Sequence, residues 1–223
     1  MKRCTKQALS AVRVLVFDLD GTLIDSRADI TGSVNFALQA LGLPTHTLET
    51  VTGFVGRGVG NLIRAALDSK ADSHFDKAMK LFKGHYREHC LDATRLFPGV
   101  RETLSALVKY KKAVVTNKPK VFTERILKGL EIAAFFEAVV SGDEVIRKKP
   151  APDALELILK KFHADAEQTL VIGDSPLDLQ MARATGARAC AVSYGYGIPS
   201  ELAKEKPDFT IDTFQALLKL ISP

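Results

Sequence analysis

Asp18 and Asp20 stand two residues apart in the sequence DLDGT, directly after the apolar run 12–17. Carboxylates this close repel each other unless a cation or a shared proton relieves the charge. Gly21 lets the chain leave a strand sharply, so both acids can lie near the strand end. The pair therefore indicates a cation site, although a solvated turn that caps a helix would use the same residue types.

A second segment with chemical potential follows the apolar run 113–115, where Thr116, Asn117 and Lys118 bring a hydroxyl, an amide and backbone N–H groups together. Such groups at a strand end can hold phosphate oxygens. A third segment carries Lys149, which the following proline biases toward an extended conformation. A fixed lysine there would neutralise acids or contact a phosphate. Taken singly, the two segments are better explained as an ordinary turn and a basic surface loop.

A second acidic pair follows the apolar run 169–172. Asp174 stands at the expected strand end, and Asp178 lies four residues later, one turn into the next helix. Magnesium in proteins takes a few carboxylate or carbonyl oxygens together with waters and substrate phosphate. One acid pair at a strand end is common, but two such pairs with a lysine between them indicate a site for a magnesium ion and a small anion.

The elements that must position these residues are short apolar runs separated by helical patterns. The runs at 12–17, 113–115 and 169–172 are typical of strands buried on both faces, and 137–140 and 189–192 are weaker candidates. Alternating strands and helices predict an α/β fold with a doubly wound parallel sheet. Ligands of such sheets bind at the carboxyl ends of the strands, where the acids stand.

The stretch 25–96 interrupts this alternation, because its apolar residues recur at helical spacing and no convincing strand is present. About seventy residues of helix are far more than a crossover between parallel strands needs. The sequence therefore predicts a small α-helical domain, residues 25–96, inserted after the first strand. The core domain would comprise residues 1–24 and 97–223.

The amino-acid composition limits the kinds of molecule that the protein is expected to bind. Lysine and arginine number 31 and aspartate and glutamate 26, a net charge of +5 that attracts anions. The basic residues are dispersed and aromatics make up 7%, without the basic–aromatic interleaving of single-strand binders, so no nucleic acid partner is expected. No apolar run approaches the ~18 residues of a membrane span.

Three widely spaced cysteines, Cys4, Cys90 and Cys190, fit neither a disulfide framework nor a zinc pattern. The first ten residues lack the apolar stretch of a signal peptide. A cytoplasmic protein is therefore expected, with a small phosphorylated molecule as its partner. The pattern leaves open whether it is a monomer or a homodimer.

In combination, the four segments resemble the motifs of the haloacid dehalogenase superfamily of aspartate-nucleophile phosphohydrolases, in the same order, from about residue 12 to residue 221. The resemblance implies a Rossmann-like core, and the helical insertion falls where that family places its type 1 cap. The segments DLDGTLIDS, 53–60, VVTNKP and 193–197 are most similar to those of phosphoglycolate phosphatases. Related phosphatases share these segments, so they specify a clade better than a substrate.

The resemblance implies roles for individual residues. Asp18 would be the nucleophile that forms an aspartyl-phosphate, and Asp20 the general acid/base. Mg²⁺ would be held by Asp18, the backbone carbonyl of Asp20 and Asp174. The phosphoryl oxygens would be bound by three residues: Thr116, Asn117 and Lys149. Two further residues would support this arrangement: Ser175 and Asp178.

Arg57 is a candidate for substrate recognition from the insertion. It lies between two glycines at the start of an expected helix, where the backbone can approach a small anion closely. Its guanidinium could bind a carboxylate in bidentate fashion. An arginine exposed on a mobile loop would show the same pattern.

The expected function is magnesium-dependent hydrolysis of a phosphomonoester, with 2-phosphoglycolate as the favoured substrate. Family members that cleave carbon–halogen or carbon–phosphorus bonds lack an acid at the position of Asp20, so the resemblance excludes those activities. The alternatives are a phosphohexose mutase resembling β-phosphoglucomutase, and a phosphatase for another small phosphate or pyrophosphate. A phospho-accepting signalling domain is a candidate from a different class, but it would lack the helical insertion.

Overall fold

The structure is a computed structural model that describes residues 11–221. The expectations for the first ten residues and for Cys4 lie outside this range.

Strands and helices alternate along most of the described chain. The strands are β1 (Val14–Phe17), β2 (Ile24–Asp25), β3 (Arg95–Leu96), β4 (Lys111–Val115), β5 (Ala138–Val140), β6 (Thr169–Gly173), β7 (Arg188–Val192) and β8 (Phe209–Ile211). The α-helices are α1 (Arg27–Gln39), α2 (Leu48–Thr52), α3 (Val59–Leu67), α4 (Ala71–His89), α5 (Val100–Ala106), α6 (Lys120–Gly129), α7 (Asp153–Phe162), α8 (Pro176–Thr185), α9 (Pro199–Lys204) and α10 (Ala216–Ile221).

Within residues 11–221, six strands form one sheet in the order β5-β4-β1-β6-β7-β8, and every neighbouring pair is parallel. The register sets Phe17 beside Val114 of β4 and Ile172 of β6. The chain therefore leaves β1 toward one side of the sheet and later returns to its other side. This is the doubly wound α/β fold that the sequence predicts, and it brings the carboxyl ends of β1, β4 and β6 together.

The central strand shows why the apolar runs form this sheet. All four residues of β1 are buried. Leu15 and Phe17 belong to one hydrophobic cluster, whereas Val14 and Val16 belong to a second. Since alternate side chains of a strand point to opposite faces, the sheet is covered on both sides. A continuous apolar sequence is required for such a strand.

The residues between β2 and β3 are helical, as expected. Helices α1 to α4 occupy this stretch, with α4 packed along α1 and α3. The two ends of the stretch meet in a short antiparallel ladder that pairs Ile24 with Leu96 and Asp25 with Arg95. Buried Asp29 adds to this junction, because its carboxylate accepts hydrogen bonds from the main-chain N–H groups of residues 93 and 94.

Two features differ from the sequence prediction. The stretch 25–96 was expected to contain no strand, yet β2 and β3 lie at its borders. Each has only two residues, too few for an alternating pattern to show. Strand β8 was also missed, because its three residues lie at the sheet edge and only Ile211 is buried. Among the described residues, no helix has the length and apolar character to span a bilayer.

Candidate active site

Three strand ends place the sequence-predicted residues at one edge of the sheet. Asp18 follows β1, Thr116 follows β4 and Asp174 follows β6. The Asp18 main-chain N–H extends the ladder by donating to the Ile172 carbonyl at 2.9 Å. Because β1 lies between β4 and β6, these three side chains converge, as the sequence predicts.

Three buried carboxylates form the acidic part of the site. Asp18, Asp174 and Asp178 each offer an oxygen within 4.8 Å of the others. Burial, followed by the Asp178 charge, raises the pKa of Asp18 to about 7 against the lowering effect of Lys149. Burial raises the pKa of Asp174 to about 8, and the negative charges of Asp18 and Asp178 add to this effect. Such a cluster favours protons or a cation, since like charges in a low dielectric destabilise each other.

Lys149 supplies the ammonium group within this cluster. Its Nζ lies 2.7 Å from Asp18 Oδ1 and 2.7 Å from Asp178 Oδ1, and it donates to the Val115 carbonyl at 2.9 Å. Burial alone would lower the pKa of Lys149, but the two carboxylates raise it above its usual value. One fixed ammonium among three carboxylates leaves an excess of negative charge.

Asp178 and Ser175 hold each other at the start of α8. Asp178 Oδ2 accepts from the Ser175 main-chain N–H at 3.1 Å and from its hydroxyl at 2.7 Å. This reciprocal pair caps the helix. Because the other Asp178 oxygen binds Lys149, both oxygens have protein partners. The geometry agrees with the supporting role that the resemblance implies for these two residues.

Asp174 is oriented by groups that the sequence analysis did not assign. Its Oδ2 accepts from the Tyr196 main-chain N–H at 2.7 Å, and its Oδ1 accepts from the Thr22 hydroxyl at 3.1 Å. Gly21 has φ +84°, and a Cβ there would collide with the Asp174 carboxylate. The only sequence signal for Tyr196 was the glycine-rich segment 193–197, which the resemblance singled out without a role.

Asp20 stands apart from the acidic cluster and has different partners. Both of its carboxylate oxygens lie 2.8 Å from Lys118 Nζ, and its Oδ1 accepts from the Ser26 hydroxyl at 2.5 Å. The sequence predicts Lys118 only as part of the segment after β4, without a partner. Nothing in the spacing could reveal this pair, because the two residues are 98 positions apart.

Asn117 acts as a brace in this structure. Its side-chain amide donates to the carbonyls of Gly56 at 2.9 Å and Lys149 at 3.1 Å, while its Oδ1 accepts from the Lys149 main-chain N–H at 3.0 Å. It thereby ties the loop of Lys149 to the insertion. Thr116 is buried beside it and lines the same cavity as Asp18 and Asp20.

A cavity opens from Asp18 and Asp20 toward the insertion. The core contributes polar groups from Thr116, Asn117 and Lys118. Apolar side chains form most of the remaining wall: Ile30, Val55, Val59, Leu62, Phe82, Pro119 and Phe122. Arg57 is exposed and is not among the lining residues, although Gly56 and Gly58 on either side of it are. The structure thus brings together all predicted site residues except Arg57.

The sequence profile of the haloacid dehalogenase-like hydrolases matches residues 15–192, the part of the chain that contains all four motif segments. The chain belongs to this family. Two relatives illustrate how similar this chain is to known phosphatases. A phosphoglycolate phosphatase of Pseudomonas syringae is 39% identical over 214 residues, covering 92% of this chain and 78% of the relative. One of Aliivibrio fischeri is 35% identical over 220 residues, covering 95% and 97%.

A solved structure shows the same similarity in three dimensions. It is described as a predicted phosphoglycolate phosphatase from Haemophilus somnus and superposes with a TM-score of 0.90 at 32% identity, over 94% of this chain and 98% of that one. The haloacid dehalogenase-like fold expected from the motifs is confirmed. This hydrolase is a phosphatase that acts on phosphomonoesters.

Proposed function

We propose that this phosphatase converts 2-phosphoglycolate to glycolate and phosphate with Mg²⁺, through an aspartyl-phosphate at Asp18. The observation that carries the proposal is the Asp18–Asp20 pair at the end of β1, facing a cavity and backed by two further buried aspartates and Lys149. The names of the relatives from Pseudomonas syringae and Aliivibrio fischeri support the choice of substrate.

The acidic cluster fits a magnesium ion. Its donors are hard carboxylate oxygens, and burial makes their charges costly without a cation. Asp178 is already paired with the Lys149 ammonium group through one oxygen and held by Ser175 through the other, whereas the partners of Asp174 are uncharged donors that leave its negative charge uncompensated. We therefore assign the metal to the Asp18 and Asp174 carboxylates and the backbone carbonyl of Asp20. Bound Mg²⁺ would neutralise phosphoryl charge, so that one anion can attack another.

Asp18 performs the nucleophilic step. Its Oδ1 accepts from the Leu19 main-chain N–H at 2.7 Å and lies 2.7 Å from Lys149 Nζ. We therefore assign the attack on phosphorus to Oδ2. A bond forms between this oxygen and phosphorus while the bond from phosphorus to the leaving oxygen breaks, which divides a difficult displacement into two steps.

Asp20 moves the protons. It donates one to the leaving oxygen of glycolate, and it then accepts one from the water that attacks the aspartyl-phosphate. Thr116, Asn117 and Lys149 bind and orient the phosphoryl oxygens, a role that is mainly positioning and electrostatic in phosphoryl transfer. Asn117 acts here through its main-chain N–H, because its side chain is already bonded to Gly56 and to the main chain of Lys149. Ser175 acts indirectly, by holding Asp178 and through it Lys149.

We further propose that residues 25–96 act as a cap domain over the core of 1–24 and 97–223. The apolar wall contributed by α1, α3 and α4 would exclude water from the reacting groups. Arg57, at the glycine-rich start of α3, would bind the substrate carboxylate when the cap closes. The free, buried thiols of Cys90 and Cys190 agree with a reducing, cytoplasmic setting.

The test is a panel of phosphomonoesters compared by kcat/KM, with 2-phosphoglycolate, sugar phosphates, nucleotides and pyrophosphate. The proposal expects 2-phosphoglycolate to give the highest value, with release of one phosphate per glycolate. A higher value for another member of the panel would overturn the substrate. Interconversion of isomeric sugar phosphates without phosphate release would instead identify a mutase.

A further inference from the structure

Lys118 is a buried lysine that is paired with one carboxylate. Its side chain is 5% exposed, and its Nζ lies 2.8 Å from each carboxylate oxygen of Asp20. Burying an ammonium group is strongly unfavourable unless it is paired and hydrogen-bonded. Burial alone would lower the pKa of Lys118, but Asp20 raises it above its usual value. The pair is therefore a fixed part of the folded structure.

The insertion covers this ion pair with an aromatic ring. Tyr86 of α4 places its ring centroid 5.1 Å from Lys118 Nζ, a distance at which an ammonium group is attracted to an aromatic face. The same ring packs edge-on against Phe122 of α6, with centroids 4.9 Å apart. Lys118 is thus held between a carboxylate of the core and a ring of the insertion.

Asp18 and Asp20 are each contacted by a different buried lysine. Lys149 contacts Asp18 and Asp178, whereas Lys118 contacts Asp20. The Ser26 hydroxyl, at the start of α1, also donates to Asp20 Oδ1. A carboxylate gripped at both oxygens has little rotational freedom. Its position at the cavity therefore depends on the lysine.

We propose that Lys118 is a positioning residue that fixes the Asp20 carboxylate at the cavity, and that Tyr86 makes this positioning depend on the insertion. The inference rests on the proposed acid/base role of Asp20. Lys118 acts through Asp20 rather than on the phosphoryl group. Its loss should therefore affect the proton donated to the leaving oxygen more than the attack on phosphorus.

The experiment compares Lys118→Met, Asp20→Asn and the double variant on two substrates. One is an alkyl phosphomonoester that the wild type hydrolyses, and the other is p-nitrophenyl phosphate, whose leaving group needs little protonation. Lys118→Met should lower kcat for the alkyl ester about tenfold or more, within the range of general acid/base effects, and lower it much less for the aryl ester. The double variant should be no slower than Asp20→Asn, since residues that act as a unit are not additive.

Lys112→Met is the matched control. Lys112 is also a buried lysine, but it lies at the start of β4, whereas Lys118 follows the end of that strand; the Lys112 Nζ donates to the carbonyls of Leu107 and Tyr110. Its loss removes the same charge and length without touching Asp20. If Lys112→Met loses stability as Lys118→Met does, its alkyl-to-aryl ratio of kcat should still equal that of the wild type. Tyr86→Leu should shift this ratio in the direction of Lys118→Met, and by more than Tyr86→Phe, which keeps the ring.

Each remaining outcome counts against a particular statement. If Lys118→Met slows both esters equally, or if its effect multiplies that of Asp20→Asn, Lys118 acts on the phosphoryl group or on the fold, and the inference is wrong. If Asp20→Asn discriminates between the esters and Lys118→Met does not, the inference alone fails. If Asp20→Asn does not discriminate, the proposed acid/base role fails, and the positioning role fails with it.

Discussion

The two walls of the cavity differ in how they are built. On the core wall, Lys149 links Asp18 at the end of β1 to Asp178, which in turn holds Ser175, so that these side chains form one continuous network. On the insertion wall, most lining side chains are apolar, and the charged candidate Arg57 is exposed. In the proposed function, this difference divides the work: the sheet would fix the chemistry of the phosphoryl group, and the insertion would select the leaving group.

The backbone supports the same contrast. The core wall is fixed by a parallel ladder and by buried ion pairs, which leave its side chains few alternatives. The insertion wall near Arg57 contains Gly56 and Gly58, both with positive φ. Glycine at such positions permits conformations that other residues rarely adopt. The core wall is thus held by paired charges, whereas the insertion wall near Arg57 uses a backbone conformation that glycine adopts readily.

The largest expected effect is the loss of the nucleophile from the core wall. Asp18→Asn should reduce turnover by at least ~10³-fold, because an amide is a poor nucleophile and losses of this size follow the removal of catalytic groups. Phosphate release is measured at saturating substrate and Mg²⁺. The exposed Asp76→Asn of α4 is the matched control and should retain full activity. Rapid release by Asp18→Asn would rule out the aspartyl-phosphate.

Removal of the metal should have an effect of similar size. We expect excess chelator to abolish activity and added Mg²⁺ to restore it. Ca²⁺ should restore little, because it prefers more ligands at longer distances and would displace the nucleophile. Activity assays after chelation, with thermal unfolding as a check on the fold, measure this. Full activity in chelator would remove the metal from the proposal.

A smaller and more selective effect is expected on the insertion wall. Arg57→Ala should lower kcat/KM for 2-phosphoglycolate about tenfold or more, the scale of a lost charged hydrogen bond. Hydrolysis of p-nitrophenyl phosphate should change little, since this substrate offers no carboxylate. The exposed Arg87→Ala of α4 controls for a general loss of positive charge. If both substrates are affected together, Arg57 does not bind the carboxylate.

The last prediction concerns the pH dependence of stability rather than activity. The pKa of Asp174 is about 8 in the folded protein, against about 3.9 for an ordinary aspartate. The folded state therefore binds this proton more tightly, and the contribution to stability is present below about pH 4 and is lost as the pH rises toward 8. Without divalent cations, the Tm of Asp174→Asn minus that of the wild type should therefore increase between about pH 5 and about pH 8.

Mg²⁺ at the higher pH should raise the Tm of the wild type and have little effect on Asp174→Asn, because the ion binds the ionised carboxylate. The exposed Asp76→Asn should follow the wild type at every pH. A constant difference in Tm between the wild type and Asp174→Asn would contradict the raised pKa.

The strands that are buried on both faces of the sheet could be predicted from the sequence. Strands β1, β4 and β6 are covered on both faces, so their sequences are continuous apolar runs that differ from the helical patterns around them. Strands β2, β3 and β8 have two or three residues, and pairing rather than composition defines them. Their existence depends on which segments the fold brings side by side.

The sequence by itself determined which residues end the buried strands, and therefore which acids meet at the sheet edge. Because parallel strands end at one edge of a sheet, the sequence predicts that Asp18, Thr116 and Asp174 lie there, and the observed register agrees. The tertiary structure alone decided how those residues are paired. Lys118 with Asp20, Asn117 with Gly56 and Tyr196 with Asp174 join segments far apart in the chain. Periodicity and spacing report only local geometry, whereas these contacts depend on where distant loops pack.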